Sequence, residues 1–214
     1  MELIIDNEES FITDFFKNDL HNTFNFLDIG ANDGFSFSNT YKLSALGWSG
    51  VCLEPTQEAF LKLKRLHGEN GKIECINAGV SDVTQVVTFY QSHDWYQTNA
   101  PVGILSSMDP NHKKNFIDMN WSEIKCIVYT FEELERLYNL ENKKYDFINI
   151  DVEGHDLIVL KQLNKKLRYC RLICIEKSLD DQQNQNIIKE LNTNNFELIA
   201  MSVDNFIAVN KKFS

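Results

Sequence analysis

Asp28-Ile29-Gly30-Ala31-Asn32-Asp33-Gly34 ends an apolar run that starts at Phe24 and leads into a segment of helical spacing. A strand that passes through a glycine turn into a helix is the opening unit of a parallel α/β sheet. Glycine suits such a turn because the backbone approaches a ligand closely and can take positive φ, and Gly30 and Gly34 meet that need. A dinucleotide fingerprint would place another glycine two residues after Gly30 to admit a pyrophosphate; Asn32 stands there instead. The loop therefore reads as one for a charged ligand without phosphate, with Asp28 attracting an ammonium group directly or through water. The same spacing also occurs in turns that bind nothing, so the flanking pattern has to decide.

Outward from this turn, short apolar runs alternate with helical spacings. The runs are Phe24 to Ile29, Gly50 to Leu53, Lys72 to Val80, Tyr145 to Ile150 and Leu172 to Ile175. They are continuous rather than alternating, as strands covered on both faces should be. Between them, Phe37, Tyr41 and Ala45 recur at fours, Phe60, Leu63 and Leu66 at threes, and Leu157, Leu160 and Leu163 likewise, with Ile187, Ile188 and Leu191 in the last helix. Thr130 with Glu133 makes a capping box before Leu134 and Leu137. Phe11, Ile12, Phe15, Phe16 and Leu20 predict an opening helix within residues 1–22. Phe196 to Val203 and Phe206 to Val209, joined by Asp204-Asn205, predict an antiparallel hairpin at the sheet edge. The whole chain, 1–214, reads as a single α/β domain with a mostly parallel central sheet and helices on both faces.

Two further strand ends carry polar residues. Glu54-Pro55 follows the second strand about twenty residues after the glycine loop, where a carboxylate can accept both ribose hydroxyls. Asn77 to Asp82 lies at the end of the third, and its polar residues Asn77, Ser81 and Asp82 are candidates for the adenine edge. Residues 91–122 show no period after a strand at Val83 to Tyr90. Such an irregular insertion is read as a substrate loop or lid, with His93, Trp95, His112, Ser106 and Ser107 as candidates to meet the acceptor. His21 and His67 are assigned to helix surfaces.

The 214 residues carry a formal charge of −10, with lysines only in short pairs, so nucleic acid is not expected as a partner. Cys52, Cys75, Cys126, Cys170 and Cys174 lie in apolar stretches without zinc-type pairing, and they read as reduced core residues of a cytoplasmic protein. No segment approaches membrane-spanning length, and the N-terminus carries no basic leader, so neither membrane insertion nor secretion is expected.

Three segments together resemble the FkbM family of methyltransferases: residues 28–34, Asn77-Ala-Gly-Val-Ser-Asp82 and Ile150-Asp-Val-Glu-Gly-His-Asp156. The resemblance runs from about Phe24 to Glu176. It departs at Thr56 and Gln57, where the family often has Asn and Pro, and at Asp156, where Glu is frequent. It implies a Rossmann-like class I methyltransferase fold closing in the hairpin, S-adenosylmethionine as cofactor, and a hydroxyl of a sugar, glycan or other small metabolite as acceptor. Cofactor contacts are then expected from Asp28, Gly30, Asn32, Gly34, Glu54, Pro55, Ser81, Asp82 and Asp151.

The sulfonium is already a strong methyl donor, so the chemistry needs alignment and a base for the hydroxyl proton. Asp151 is the first choice for that base and His155 the second, with Glu153 and Glu176 facing the same cleft. Asp151, Glu153 and Glu176 are alternatively oxygen ligands for a divalent cation. Glu153 and Asp156 also fit the first turn of a helix, where negative charge is favourable without any function. Two other readings stand beside the methyltransferase: a nicotinamide-dependent oxidoreductase, opposed by Asn32 and the closing hairpin, and a noncatalytic nucleoside-binding protein, opposed by the retained acids.

Overall fold

In the computed structural model, which describes residues 2–19, 24–92, 105–115 and 119–213, the chain begins β1 (Leu3–Ile4), α1 (Glu8–Phe16), β2 (Asn25–Ile29), α2 (Tyr41–Ala45) and β3 (Ser49–Leu53). It continues α3 (Gln57–His67), β4 (Ile73–Ile76), β5 (Gly79–Val80), β6 (Gln85–Ser92), β7 (Trp121–Tyr129), α4 (Phe131–Leu137) and β8 (Phe147–Ile150). The last elements are α5 (Asp156–Gln162), α6 (Asn164–Leu167), β9 (Leu172–Glu176), α7 (Asp181–Thr193), β10 (Phe196–Met201) and β11 (Asn205–Asn210).

The expected α/β architecture is present. The main sheet has the order β1-β10-β11-β9-β8-β2-β3-β4, with the run from β9 to β4 parallel and β10 and β11 forming the antiparallel hairpin. Chain order runs outward from β2 through β3 to β4 in one direction and from β8 to β9 in the other. The seam between these two strands is therefore the switch point where open α/β sheets bind ligands.

Strand parity explains the continuous apolar runs. Leu27, Ile29, Val51, Leu53, Ile148 and Ile150 pack on one face with Phe131, Leu134, Val159, Leu160, Ile187 and Leu191 of α4, α5 and α7. Phe26, Cys52, Phe147 and Cys174 pack on the other with Ile12, Phe16, Leu43 and Leu63 of α1, α2 and α3. All five cysteines are free thiols and four are buried, in keeping with their reading as core residues. Among the described residues no helix is long and apolar enough to cross a membrane.

Several boundaries differ from expectation, each for a tertiary reason. The opening helix occupies only Glu8–Phe16, started by Asn7, whose side chain accepts from Ser10 N at 2.7 Å. Leu3 and Ile4 instead pair with Ala200 and Met201, so β1 and not the hairpin forms that sheet edge. The run Lys72 to Val80 is broken in two because Asn77 Nδ2 donates to the carbonyls of Glu54 (2.8 Å) and Pro55 (3.2 Å), which draws the chain off the sheet. Its second half, Gly79–Val80, joins a separate sheet of order β5-β7-β6. The supposedly irregular stretch 91–122 contains strand at both ends, since Ser92 and Trp121 are partners in the β6–β7 ladder. Within it, Ser107 exchanges backbone bonds of 2.8 and 3.1 Å with Tyr90 of β6. His93 and Trp95 in this stretch, and Leu20 and His21, lie outside the described residues.

Phe37 lies outside α2, and His67, expected on a surface, is buried at the end of α3, beneath Gly34. Thr130 does cap α4 by accepting from Glu133 N at 3.3 Å. The return half of the box is supplied by Thr84, whose hydroxyl accepts from Thr130 N at 3.0 Å and donates to the Glu133 carboxylate.

At the opposite end of the sheet from the switch point, Lys166 is 4 % exposed. Its ammonium donates at 2.9 Å to the carbonyls of Leu140, Glu141 and Lys143 and pairs with the buried Glu135. One cation thus ties α6 to the turn between α4 and β8. Lys166→Met leaves three carbonyls and a carboxylate without their donor, and it is expected to cost about 3 kcal/mol in urea unfolding; a loss below about 1 kcal/mol would show that the pair contributes no more than a surface bridge.

Candidate active site

The strand ends at the switch point enclose one cleft, whose lining includes Asp28, Gly30, Asn32, Glu54, Pro55, Asp151 and Glu153. Seven of the cofactor and catalytic residues predicted from sequence are therefore brought together. Among the described lining residues there are four carboxylates and no lysine or arginine.

Asp28 forms the floor. It is only 2 % exposed, and its carboxylate accepts from Thr40 Oγ1 at 2.6 Å and from Asn149 Nδ2 at 2.9 Å. Asn149 Oδ1 in turn accepts from Asn39 Nδ2 at 3.0 Å. Burial raises the proton affinity of Asp28, and the two hydrogen bonds oppose that rise. Sequence reading missed Asn39, Thr40 and Asn149. The available signal was Asn149 itself, the one polar residue in the run Phe147-Ile-Asn-Ile150 and the register partner of Asp28.

Gly30 has φ of +90°, and a Cβ there would stand 1.7 Å from the Asp151 carbonyl oxygen. The loop after β2 and the segment after β8 therefore touch backbone to backbone, which only glycine permits. The amides of Gly30 and Ala31 both donate to Leu53 O at 3.0 Å, so the loop is also strapped to the end of β3. Gly34, with φ of +77°, lies under α3, where a Cβ would meet Leu63 at 2.6 Å; its role is packing and it does not line the cleft.

Glu54 is held in one orientation. Its Oε1 accepts from Thr56 N (2.8 Å) and Thr56 Oγ1 (2.6 Å), and its Oε2 accepts from Asn32 N (3.0 Å). Thr56, a departure from the family pattern, is thus the residue that orients the acid. Burial raises the proton affinity of Glu54, and these bonds counter it.

Beyond β8 the acids crowd. Oxygens of Asp151, Glu153 and Glu176 all lie within 4.8 Å of one another. Glu153 N donates to Glu176 Oε2 at 3.0 Å, while Asp156 accepts from Val152 N and Gly154 N, each at 3.1 Å. Glu153 and Gly154 turn through positive φ, 53° and 95°, to make this bend. Burial first, and then repulsion from neighbouring acids, pushes Asp151 up to about 8 and Glu153 and Glu176 well above the ordinary carboxylate range. Asp156 is raised to about 6 by burial, against the pull of its backbone bonds.

The insertion contributes from the other side. Ser106 lines the cleft, Ser107 Oγ donates to Glu153 O at 2.7 Å, and His112 Nε2 lies 3.4 Å from Glu153 Oε2. Trp121 meets the His112 ring edge-on at 6.2 Å. The remaining candidates fall elsewhere. Ser81 Oγ is 3.2 Å from both Asp82 Oδ1 and His155 Nε2, and none of these three is among the residues lining the cleft. Glu176 reaches the cleft only through its contacts with Glu153 and Asp151.

The sheet order and the position of the cleft are those of the class I methyltransferase fold. The chain superposes on a methyltransferase FkbM structure from Methylobacillus flagellatus KT with a TM-score of 0.54 at 15% identity, covering 95% of this chain and 48% of that one. It therefore spans about half the length of that structure. A chain from Clostridium thermocellum described as a presumptive rRNA methylase gives a TM-score of 0.54 at 8% identity, covering 96% of each chain. At these identities the likeness establishes the fold. No curated protein matches the chain. The model of the methyltransferase FkbM domain matches residues 28–198, and the chain belongs to that family.

The acid cluster makes stability depend on pH. A carboxyl raised in the folded state to about 8, from an unfolded value near 3.9, contributes stability that is complete below the unfolded value and is lost as pH rises toward 8. The melting temperature is therefore expected to fall between pH 5 and pH 8, with a shallower fall in Asp151→Asn; parallel profiles for the two proteins would refute the assignment.

Proposed function

We propose that the chain is an S-adenosylmethionine-dependent O-methyltransferase acting on a hydroxyl of a sugar, glycan or other small metabolite. The observation that carries this reading is the charge of the cleft: four acids and no basic residue among the described lining residues. Such a cleft suits a ligand bearing a sulfonium and an ammonium and opposes a pyrophosphate, which disfavours the nicotinamide reading. Bound S-adenosylmethionine supplies an electrophilic methyl group.

The residues of this chain divide the remaining work. Asp28, fixed by Thr40 and Asn149, presents a carboxylate to the ammonium. Glu54 keeps lone pairs beyond those used by Thr56 and Asn32, and it faces the cleft, so it accepts the ribose hydroxyls. Gly30 keeps the loop low enough for the ligand to lie over the strand ends. Asp151 takes the proton of the acceptor hydroxyl. Its position near 8 matches a base that must hold and release a proton near neutrality. His155, bonded near Ser81 outside the lining, is the weaker candidate.

A second reading is favoured by the spacing of the acids. Asp151, Glu153 and Glu176 offer only oxygen donors, close enough together to share one hard divalent cation such as Mg2+. Such an ion would relieve the repulsion that raises their proton affinities and would lower the pKa of the acceptor hydroxyl. This cleft is accordingly read as acting on a small hydroxylated acceptor, with the acidic chain avoiding nucleic acid.

Calorimetric titration with S-adenosylmethionine and with NAD, together with release of S-adenosylhomocysteine over a panel of glycosides and hydroxylated metabolites, tests the proposal; binding of NAD without a response to S-adenosylmethionine would overturn it. Asp28→Ala is expected to weaken cofactor binding about tenfold or more. Asp151→Asn is expected to keep cofactor affinity while kcat drops on the order of 10²-fold or more, and the wild-type rate is expected to climb with pH through about 8 as Asp151 loses its proton. Equal turnover in wild type and Asp151→Asn would remove Asp151 from the role of base. For the cation, Mg2+ at pH 8 is expected to raise the melting temperature of wild type and not of Asp151→Asn; an equal response in the two proteins would discard the site.

A further inference from the structure

One aromatic residue of the cleft is used neither by packing nor by the cofactor contacts above. Phe37 lines the cleft yet is 82 % exposed, which places it at the mouth. Its φ is 55°, in the left-handed region that a bulky side chain avoids.

The strain is held by a closely bonded turn. Asp33 Oδ1 accepts from Phe35 N (2.9 Å) and Ser36 N (2.7 Å), and Asp33 Oδ2 accepts from Ser36 Oγ (2.9 Å). On the far side of Phe37, Ser38 Oγ accepts from Thr40 N (3.2 Å) and Tyr41 N (3.0 Å). The other aromatic of the turn, Phe35, is occupied by an edge-on contact with Tyr41 at 4.9 Å. The sequence thus spends five hydrogen bonds on fixing a backbone whose product is one exposed ring in a strained conformation beside the site. Strain maintained at an exposed position points to recognition, because burial gains nothing there.

We infer that Phe37 is an acceptor-binding residue, its ring stacking on the C–H face of the sugar whose hydroxyl is methylated; the inference rests on the methyltransferase reading above. The charged parts of the cofactor are matched by Asp28 and Glu54, which are 2 % and 6 % exposed and lie deep in the cleft. The mouth is left for the acceptor. Phe37 alone of the lining residues is exposed, and the half-buried carboxylates of Asp151 and Glu153 and the buried Phe89, Ser106 and Asn39 line the wall below it, so an aromatic ring at the mouth stands over polar groups. A pyranose ring has this same duality, an apolar face and a rim of hydroxyls, and aromatic faces are its usual partners.

The test uses the full chain, S-adenosylmethionine, and a panel of methyl glucoside, galactoside, mannoside and fucoside with catechol as an acceptor lacking a sugar ring. Phe37→Asn is expected to raise the acceptor KM about tenfold, with kcat and cofactor affinity within about twofold. It should melt no lower than wild type, since Asn tolerates the left-handed region and no buried contact is lost. Phe37→Tyr, which keeps the ring, should retain the wild-type KM. An unchanged KM in Phe37→Asn, an equal loss of cofactor affinity, or a marked drop in melting temperature would each overturn the inference. A wild-type protein that binds S-adenosylmethionine but methylates only catechol, or none of the glycosides, would overturn it while leaving the methyltransferase reading intact. Failure of wild type to bind S-adenosylmethionine would instead sink that earlier reading.

Discussion

A carboxylate buried in the middle of a sheet must find donors inside the protein or give up its charge, and at Asp28 the donors come from Asn149 and Thr40. The parallel register of β2 and β8 sets Asp28 opposite Asn149, so the hydrogen bond spans the seam where the strand order reverses. Asn39 completes the chain by donating to Asn149. The loop after β2, the start of α2 and the end of β8 are thereby held in one arrangement. The apposition of Gly30 and the Asp151 backbone follows from it, and with that apposition the shape of the cleft.

The same physics works in the opposite sense a few residues further on. Asp156 is satisfied by two backbone amides, yet Asp151, Glu153 and Glu176 face one another with far fewer donors. Their raised proton affinities express a local cost carried by the folded state. Clusters that cost stability persist where chemistry needs them, and here the cost falls on the acid proposed as base. The Phe37 turn shows the same pattern in the backbone, with local hydrogen bonds sustaining a conformation that contributes no buried contact of its own.

Much of the fold was legible because its signals are local. The continuous apolar runs, the glycine turn after β2 and the Asp204-Asn205 hairpin each depend on a few neighbouring residues. The cleft's Asp28, Gly30, Asn32, Glu54, Pro55, Asp151 and Glu153 were readable because strand carboxyl ends in such a sheet share a rim. The nine-residue strand Trp121–Tyr129 was not, since it forms by pairing with Gln85–Ser92 across the insertion. Residues Leu3–Ile4 gave no strand signal for the same reason; their partners lie almost two hundred positions away. Asn77 shows the converse, a residue expected at a ligand that instead bonds to the Glu54 and Pro55 carbonyls and bends the chain away.

By itself the sequence determined the class of architecture, the position of the acid-rich strand ends and the resemblance of about Phe24 to Glu176 to the FkbM methyltransferases, because periodicity, turn chemistry and motif spacing are properties of adjacent residues. Only the tertiary structure decided which polar groups share a cleft. Ser81, Asp82 and His155 were separated from it, Gly34 and His67 were committed to packing, and Thr56, Asn39 and Asn149 were brought in to orient the acids. Those assignments depend on register between distant strands and on which buried donor reaches which carboxylate, and neither quantity is encoded at short range.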